Sequence, residues 1–158
     1  MKVNVVGKNY SEAERAYLAG FIDADGAIMA TIEHHKEKRF RFRVRVILKI
    51  TQCNKSSLDW FIQTFKVGAI RKNRTAYDWL IRNQKDVNYL LNLIEPFSKT
   101  KARQVDIAKT ILAKSVNKKE DLLKIARSAD ALSKFNVRSK GRRKNHATMI
   151  QEYFSCND

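Results

Sequence analysis

Two aspartates, Asp23 and Asp25, close the run Leu18-Ala19-Gly20-Phe21-Ile22-Asp23-Ala24-Asp25-Gly26. The residues ahead of them suit a helix. Ser11-Glu12-Ala13-Glu14 has the S-x-x-E form in which a hydroxyl and a carboxylate each satisfy a free N–H of the first turn. Ala13, Ala16, Gly20 and Ala24 put small residues on one face of that helix, allowing a second helix to approach closely. Gly26 is expected to stop the helix by taking a positive φ. The aspartates therefore fall at a helix C-terminus, where the dipole disfavours negative charge. Either a divalent cation compensates them or they face water, and spacing alone does not choose.

The second chemical signal is a basic strand. Phe40, Phe42, Val44, Val46, Leu48 and Ile50 alternate with Arg39, Arg41, Arg43, Arg45 and Lys49, and Ile47 alone breaks the pattern on the polar face. A period of two marks a strand with one buried and one wet face. Four arginines on one face repel one another unless a polyanion lies over them. A two-stranded ribbon fits the DNA major groove, where arginine reads guanine. The plainer alternative is an edge strand whose charges prevent aggregation, for which four arginines are more than is needed. Arg71, Lys72 and Arg74 would extend the basic face. The run Arg138-Ser139-Lys140-Gly141-Arg142-Arg143-Lys144 is less specific, a phosphate-gripping loop or a solvated linker.

Composition agrees with a polyanionic partner. The 158 residues carry 32 Lys and Arg against 16 Asp and Glu, a net charge of +16, far beyond what solubility requires. An apolar content of 44% argues against disorder and for one folded domain over 1–158. Cys53 and Cys156 form no CxxC pair, and His34, His35 and His146 lack zinc-ligand spacing and read as surface residues. No glycine-rich phosphate loop occurs, so no nucleotide cofactor is expected. There is no run of 18 apolar residues and no signal-type apolar segment at the start, so no membrane partner is expected and the protein reads as intracellular.

The elements that must position these residues follow in order. The first helix spans 11–25. Ile28–Glu33 and the arginine strand make one hairpin, with a polar turn around Lys36–Lys38. A helix capped by Asn54 carries Leu58, Phe61, Ile62 and Phe65 at helical spacing. Gly68 opens a second hairpin, Ala69–Asn73 and Ala76–Arg82, and a helix over Asp86–Glu95 ends at Pro96. Helices over Lys101–Ser115 and Lys119–Asn136 and a short terminal helix ending near Phe154 complete the chain, with 117–158 as a C-terminal helical and basic segment. The fold class is α+β: αββαββα with a four-stranded antiparallel, saddle-like sheet, helices on one face and extra C-terminal helices.

The run Leu18–Gly26 resembles the motif that names the LAGLIDADG homing endonucleases, matching eight of nine positions with Phe21 in place of a leucine. The αββαββα order is the family's as well. A single copy is present, since Ser128-Ala129-Asp130-Ala131 lacks the glycines. The resemblance implies a homodimer packed through its motif helices at Ala16, Gly20 and Phe21. It implies a metal-dependent double-strand break with 3′ overhangs in a long pseudo-palindromic DNA, promoting intron or intein mobility. By the same resemblance Asp25 is the metal-binding catalytic carboxylate and the Ala24 main-chain carbonyl a further metal ligand, while Asp23 is structural. Gln52 is similar to the glutamine that positions water, and Lys101 to the lysine near the scissile phosphate. A basic residue often found beyond the glutamine would fall at Ser56, which leaves Lys55 as its candidate replacement. The implied cofactor is Mg2+, two or three ions per dimer, with Ca2+ or Mn2+ able to substitute in crystals. Met29, Thr31, Glu33, His35, Arg39, Arg41, Arg43, Arg45, Lys49, Arg71, Asn73, Arg74, Lys140 and Arg142 would face double-stranded DNA. An organelle or a prokaryotic or archaeal cytoplasm is the expected setting. An RNA-binding maturase and a cleavage-silent DNA-binding protein remain the alternatives.

Overall fold

The computed structural model describes residues 9–136 and 145–157. Helix α1 (Glu12–Asp25) begins at Ser11, whose hydroxyl accepts from the Glu14 N–H while the Glu14 carboxylate accepts from the Ser11 N–H at 2.9 Å. Strand β1 (Gly26–His34) follows with no intervening residue. Gly26 ends the helix for a reason other than the expected one. Its φ is −79°, ordinary extended backbone. Glycine is required because a Cβ there would lie 2.7 Å from both the Cα and the carbonyl oxygen of Ile22.

Strand β2 (Phe42–Gln52) pairs with β1, and β3 (Ala69–Asn73) with β4 (Ala76–Ile81), giving one antiparallel sheet in the order β1-β2-β4-β3. Ile28, Ala30 and Ile32 of β1, Phe42, Val46, Leu48 and Ile50 of β2, and Trp79 and Ile81 of β4 form its buried face. Against them pack α1, α2 (Lys55–Phe65), α3 (Gln84–Ile94), α4 (Ala102–Ala113) and α5 (Lys119–Asn136). Burying each large side chain of this layer, such as Leu18, Phe61, Leu90 or Ile94, contributes about 1.5–3 kcal/mol. Trp79 keeps its indole N–H satisfied by donating to the Val67 carbonyl at 2.9 Å.

Side-chain amides close two open stretches of sheet edge. Strand β4 pairs with β2 only over Leu48–Gln52. Beyond that, Gln84 accepts from the Val46 N–H at 2.8 Å and donates to its carbonyl at 2.9 Å, standing in for a strand. On the outer edge of β1, Asn136 donates to the Ile28 carbonyl at 2.6 Å. Exposed edges of this kind otherwise recruit other chains.

Three expectations need correction. The arginine strand begins at Phe42, so Arg39 and Arg41 are not on it. Pairing with β1 closes at His34–Phe42, and the connection folds on itself through Lys38 N–H to His35 O and Arg41 N–H to Lys38 O. Arg41 takes a φ of 62° there. Helix α3 starts at Gln84 rather than Asp86, because Asn83 caps it by accepting from the N–H groups of Lys85 and Asp86. His146 is buried, at 5% exposure, and not a surface residue. It opens α6 (His146–Asn157), whose first N–H groups, those of His146 and Ala147, donate to the Asp130 carboxylate of α5 at 2.7 and 3.0 Å.

Gly26→Ala is expected to destabilise the fold by roughly 1–3 kcal/mol, because the added methyl meets backbone that cannot swing away. Urea unfolding would show a lower midpoint at unchanged slope. An unchanged midpoint would mean that the helix–strand junction adjusts freely.

Candidate functional site

The pairing of Gly26 with Ile50 lays the end of β2 beside the end of α1. Gln52, two residues on, donates from Nε2 to Oδ2 of Asp25 at 2.8 Å. Lys101, at the N-cap of α4, reaches the same helix end and donates from Nζ to the main-chain carbonyl of Asp23 at 2.7 Å. The three residues expected at a catalytic centre, Asp25, Gln52 and Lys101, are thus gathered at one point.

Asp23 and Asp25 have opposite surroundings. The Asp23 carboxylate accepts from Ser98 Oγ at 2.6 Å and from the N–H groups of Lys99, Thr100 and Lys101 at 2.7, 3.0 and 3.1 Å. Burial pushes its pKa up, but these four hydrogen bonds more than offset that and hold it below the usual 3.8. It fixes the turn that leads into α4, whose N-cap residue Lys101 makes no side-chain capping bond of its own. Asp25 is exposed, accepts only the Gln52 bond, and forms no ion pair among the described residues. The two aspartates therefore differ: a hydroxyl and three N–H donors compensate Asp23, whereas Asp25 has only the Gln52 amide among the described residues.

The donor chemistry at Asp25 fits a hard divalent ion. Its carboxylate is exposed, and Ala24 lies in the last turn of α1, where carbonyls have no further helical N–H to accept. No group of three His, Cys, Asp or Glu side chains able to hold a metal occurs among the described residues. Lys55 does not turn to this centre. It pairs with Asp59 one turn along α2, while Ser56 bonds to Asn54.

The sheet face away from the helices carries Met29, Thr31 and Glu33 of β1 opposite Ile47, Arg45 and Arg43 of β2, then Lys49, with Arg71 and Asn73 on β3. His35 continues this line just past β1. Arg74 sits exposed in the β3–β4 turn at a φ of 53°. Arg39 lies over the Phe40 ring at 5.3 Å, and Arg41 donates to the Lys36 carbonyl at 2.7 Å, so both belong to the hairpin tip. Lys140 and Arg142 lie outside the described residues. Asp78 is a member that sequence reasoning missed. It accepts from Thr51 Oγ1 at 2.5 Å and Asn73 Nδ2 at 3.0 Å, with Lys49 Nζ 4.0 Å away. Its signal was present, a carboxylate on the wet side of a strand that alternates Tyr77, Trp79 and Ile81. On α1, Ala16 and Gly20 are exposed and Phe21 is half-buried against Phe61. Tyr17, 52% exposed, and Trp60, 38% exposed, pack edge to face beside them, a patch the spacing of small residues did not reveal.

A family model described as LAGLIDADG endonuclease matches residues 18–113. The DNA endonuclease I-CreI of Chlamydomonas reinhardtii is 28% identical over 115 residues, covering 70% of this chain and 69% of that protein. The homing endonuclease I-CvuI, solved in complex with its DNA target in the presence of calcium, is 26% identical with a TM-score of 0.77, over 89% of this chain and 92% of that one. The same enzyme with the I-CreI target and magnesium, its DNA not cleaved, superposes with a TM-score of 0.79 at 25% identity and the same coverage. The archaeal intron-encoded I-Vdi141I, complexed with DNA, shares the fold at 19% identity and a TM-score of 0.77, over 90% and 97% of the chains.

Asp23→Ala removes the acceptor of four hydrogen bonds and is expected to destabilise the fold by about 2 kcal/mol, in line with bonds to a charged, part-exposed group. Because folding lowers this pKa, the contribution is complete above the unfolded value near 3.9 and disappears as pH falls through the folded one. Urea midpoints of the two proteins should therefore differ at pH 7 and converge below about pH 4. A gap that persists at low pH would assign the loss to packing.

Proposed function

We propose, for a chain that belongs to the LAGLIDADG endonuclease family and is a metal-dependent, site-specific DNA endonuclease, that Asp25, Gln52 and Lys101 from each of two copies carry out the cleavage. The observation that carries this reading is the exposed Asp25 carboxylate, held by Gln52 with no side-chain ion pair among the described residues, beside a lysine anchored to the same helix end.

The second copy would pack on the exposed face of α1. A Cβ built at Gly20 meets nothing within 4 Å in its own chain, so the space above that face is open to another helix. A twofold contact there at Ala16, Gly20 and Phe21 brings two Asp25 side chains together and requires a roughly palindromic target. Asp25 and the Ala24 carbonyl of each copy, with phosphate and water, would hold two or three magnesium ions, replaceable by calcium or manganese. When bound, such an ion supplies Lewis-acid activation of water and neutralises charge on the departing 3′ oxygen. Gln52 uses its amide nitrogen on Asp25, which leaves its carbonyl oxygen to accept from the attacking water. Lys101 has three donors and spends one on Asp23, so two remain for the scissile phosphate.

The hairpin faces lie in the flanking major grooves, with Thr31, Glu33, Arg43, Arg45, Lys49, Arg71 and Asn73 toward base edges and Arg74 at a turn. A ribbon of this kind suits B-form DNA, whereas the deep, narrow major groove of A-form RNA excludes it. Two nicks across the intervening minor groove leave 3′ overhangs, the kind of break that promotes mobility of an intron or intein.

Asp25→Asn should lose magnesium-dependent cleavage of a duplex selected from a random library while its affinity for that duplex stays within a few-fold. Loss of binding as well would make Asp25 structural, and binding of intron RNA in place of duplex would support a maturase. Gly20→Leu should give a folded monomer, with helical content kept by circular dichroism and the mass read by sedimentation velocity. A dimer of unaltered mass would refute the α1 contact.

A further inference from the structure

Ile47, the residue that interrupts the alternation of β2, points to the side of the sheet away from the helices and takes no part in the core. It is nevertheless 94% removed from solvent, with 6% exposure. The register explains what surrounds it. Met29 is its direct partner on β1, and the neighbouring row on the same face runs Ala27, Lys49, Leu80, Ala69 from β1 to β3. Ala27, Met29, Ile47, Leu80 and Ala69 therefore form an apolar band across all four strands, interrupted by Lys49 alone. Met29 and Leu80 remain half-exposed and present the band's surface. Thr31 and Arg45 border it on one side, and Thr51, Asp78 and Arg71 on the other.

An apolar strip flanked by Arg45 on one side and Arg71 on the other, on a polyanion-binding face, calls for a partner that is charged along its edges and apolar at its centre. Duplex DNA meets that description at one feature of the major groove, the C5 methyl group of thymine, which cytosine lacks. Resting on the DNA reading above, we propose that Met29 and Leu80 contact thymine methyl groups in each half-site, with Ile47 as the rigid floor beneath them. Arg45, Lys49 and Arg71 hold the neighbouring phosphates and purines, so the apolar residues decide pyrimidine identity at positions the arginines do not reach.

The test uses the Asp25→Asn protein and a duplex it selects from a random library. Each thymine of the site is replaced in turn by deoxyuridine, which deletes the methyl and keeps the Watson–Crick pairing, and Kd is measured by fluorescence anisotropy. At least one thymine per half-site should lose about fourfold in affinity, the value of one buried methyl. Met29→Ser or Leu80→Thr should abolish that thymine-to-uracil difference and leave discrimination elsewhere intact. Met29→Leu, which stays apolar, should retain it. A selected site in which no thymine responds to deoxyuridine would overturn the proposal, as would Met29→Ser and Leu80→Thr proteins that both keep the full difference. Failure to select any duplex would overturn the DNA reading together with it, a result distinct from either.

Discussion

Where α1 ends, one carboxylate joins two parts of the chain that are 75 residues apart in sequence. Asp23 gathers a hydroxyl and three main-chain N–H groups from 98–101, and Lys101 returns a bond to the Asp23 carbonyl. The turn that leads into α4 is thereby fixed, and Lys101 is set at a defined place relative to the motif helix. An anion at a helix C-terminus is unfavourable by itself. Here its charge lies at the N-terminus of α4, where the dipole has the opposite sign. The cost and the gain fall at a single junction, so the position of Lys101 follows from the same interaction that stabilises the fold.

The sheet face resolves a related conflict. The charge of +16 opposes compaction, and rows of cations on adjacent strands repel. The structure meets this locally with Asp78, which engages Thr51 and Asn73 and lies near Lys49, and with Glu33 placed opposite Arg43. These acids do not neutralise the face. Asp78 holds Thr51 and Asn73 in defined positions before a partner arrives, and such preorganisation lowers the ordering cost of binding.

The element order, both hairpins and the α5 limits were legible in the sequence because each rests on local periodicity or a local cap. The failures came where distant residues decide. Alternation suggested a strand from Arg39, but β1 ends its pairing at Phe42, and a pattern within one strand carries no information about where its partner stops. His146 looked exposed because nothing nearby in sequence announces that Asp130 caps its helix. At the site, Asp25, Gln52 and Lys101 came from a family likeness; the β1–β2 register brings Gln52 to Asp25, and the Asp23 contacts with 98–101 bring Lys101 to the same helix end. Asp78 was visible only as an acid on a wet strand face, since its partners Thr51 and Asn73 lie on two other strands.

Two glycines show how a local requirement differs from one imposed from outside the chain. At Gly26 the reason is internal, because a Cβ would strike the backbone of Ile22. At Gly20 no such reason exists. The residue is helical, exposed and surrounded by open space, and alanine there would favour the helix by about 1 kcal/mol. A helix that forgoes this gain in its middle, next to the exposed Ala16, is not built for its own stability. The flat face has a use once a second helix lies against it at close range, where a methyl group would hold the backbones apart. On the proposed reading, such a contact would also bring a second Asp25 carboxylate to face the first. Gly20 and Asp25 lie on one short helix, so the twofold packing that would give the glycine a purpose is the packing that would complete the proposed metal site.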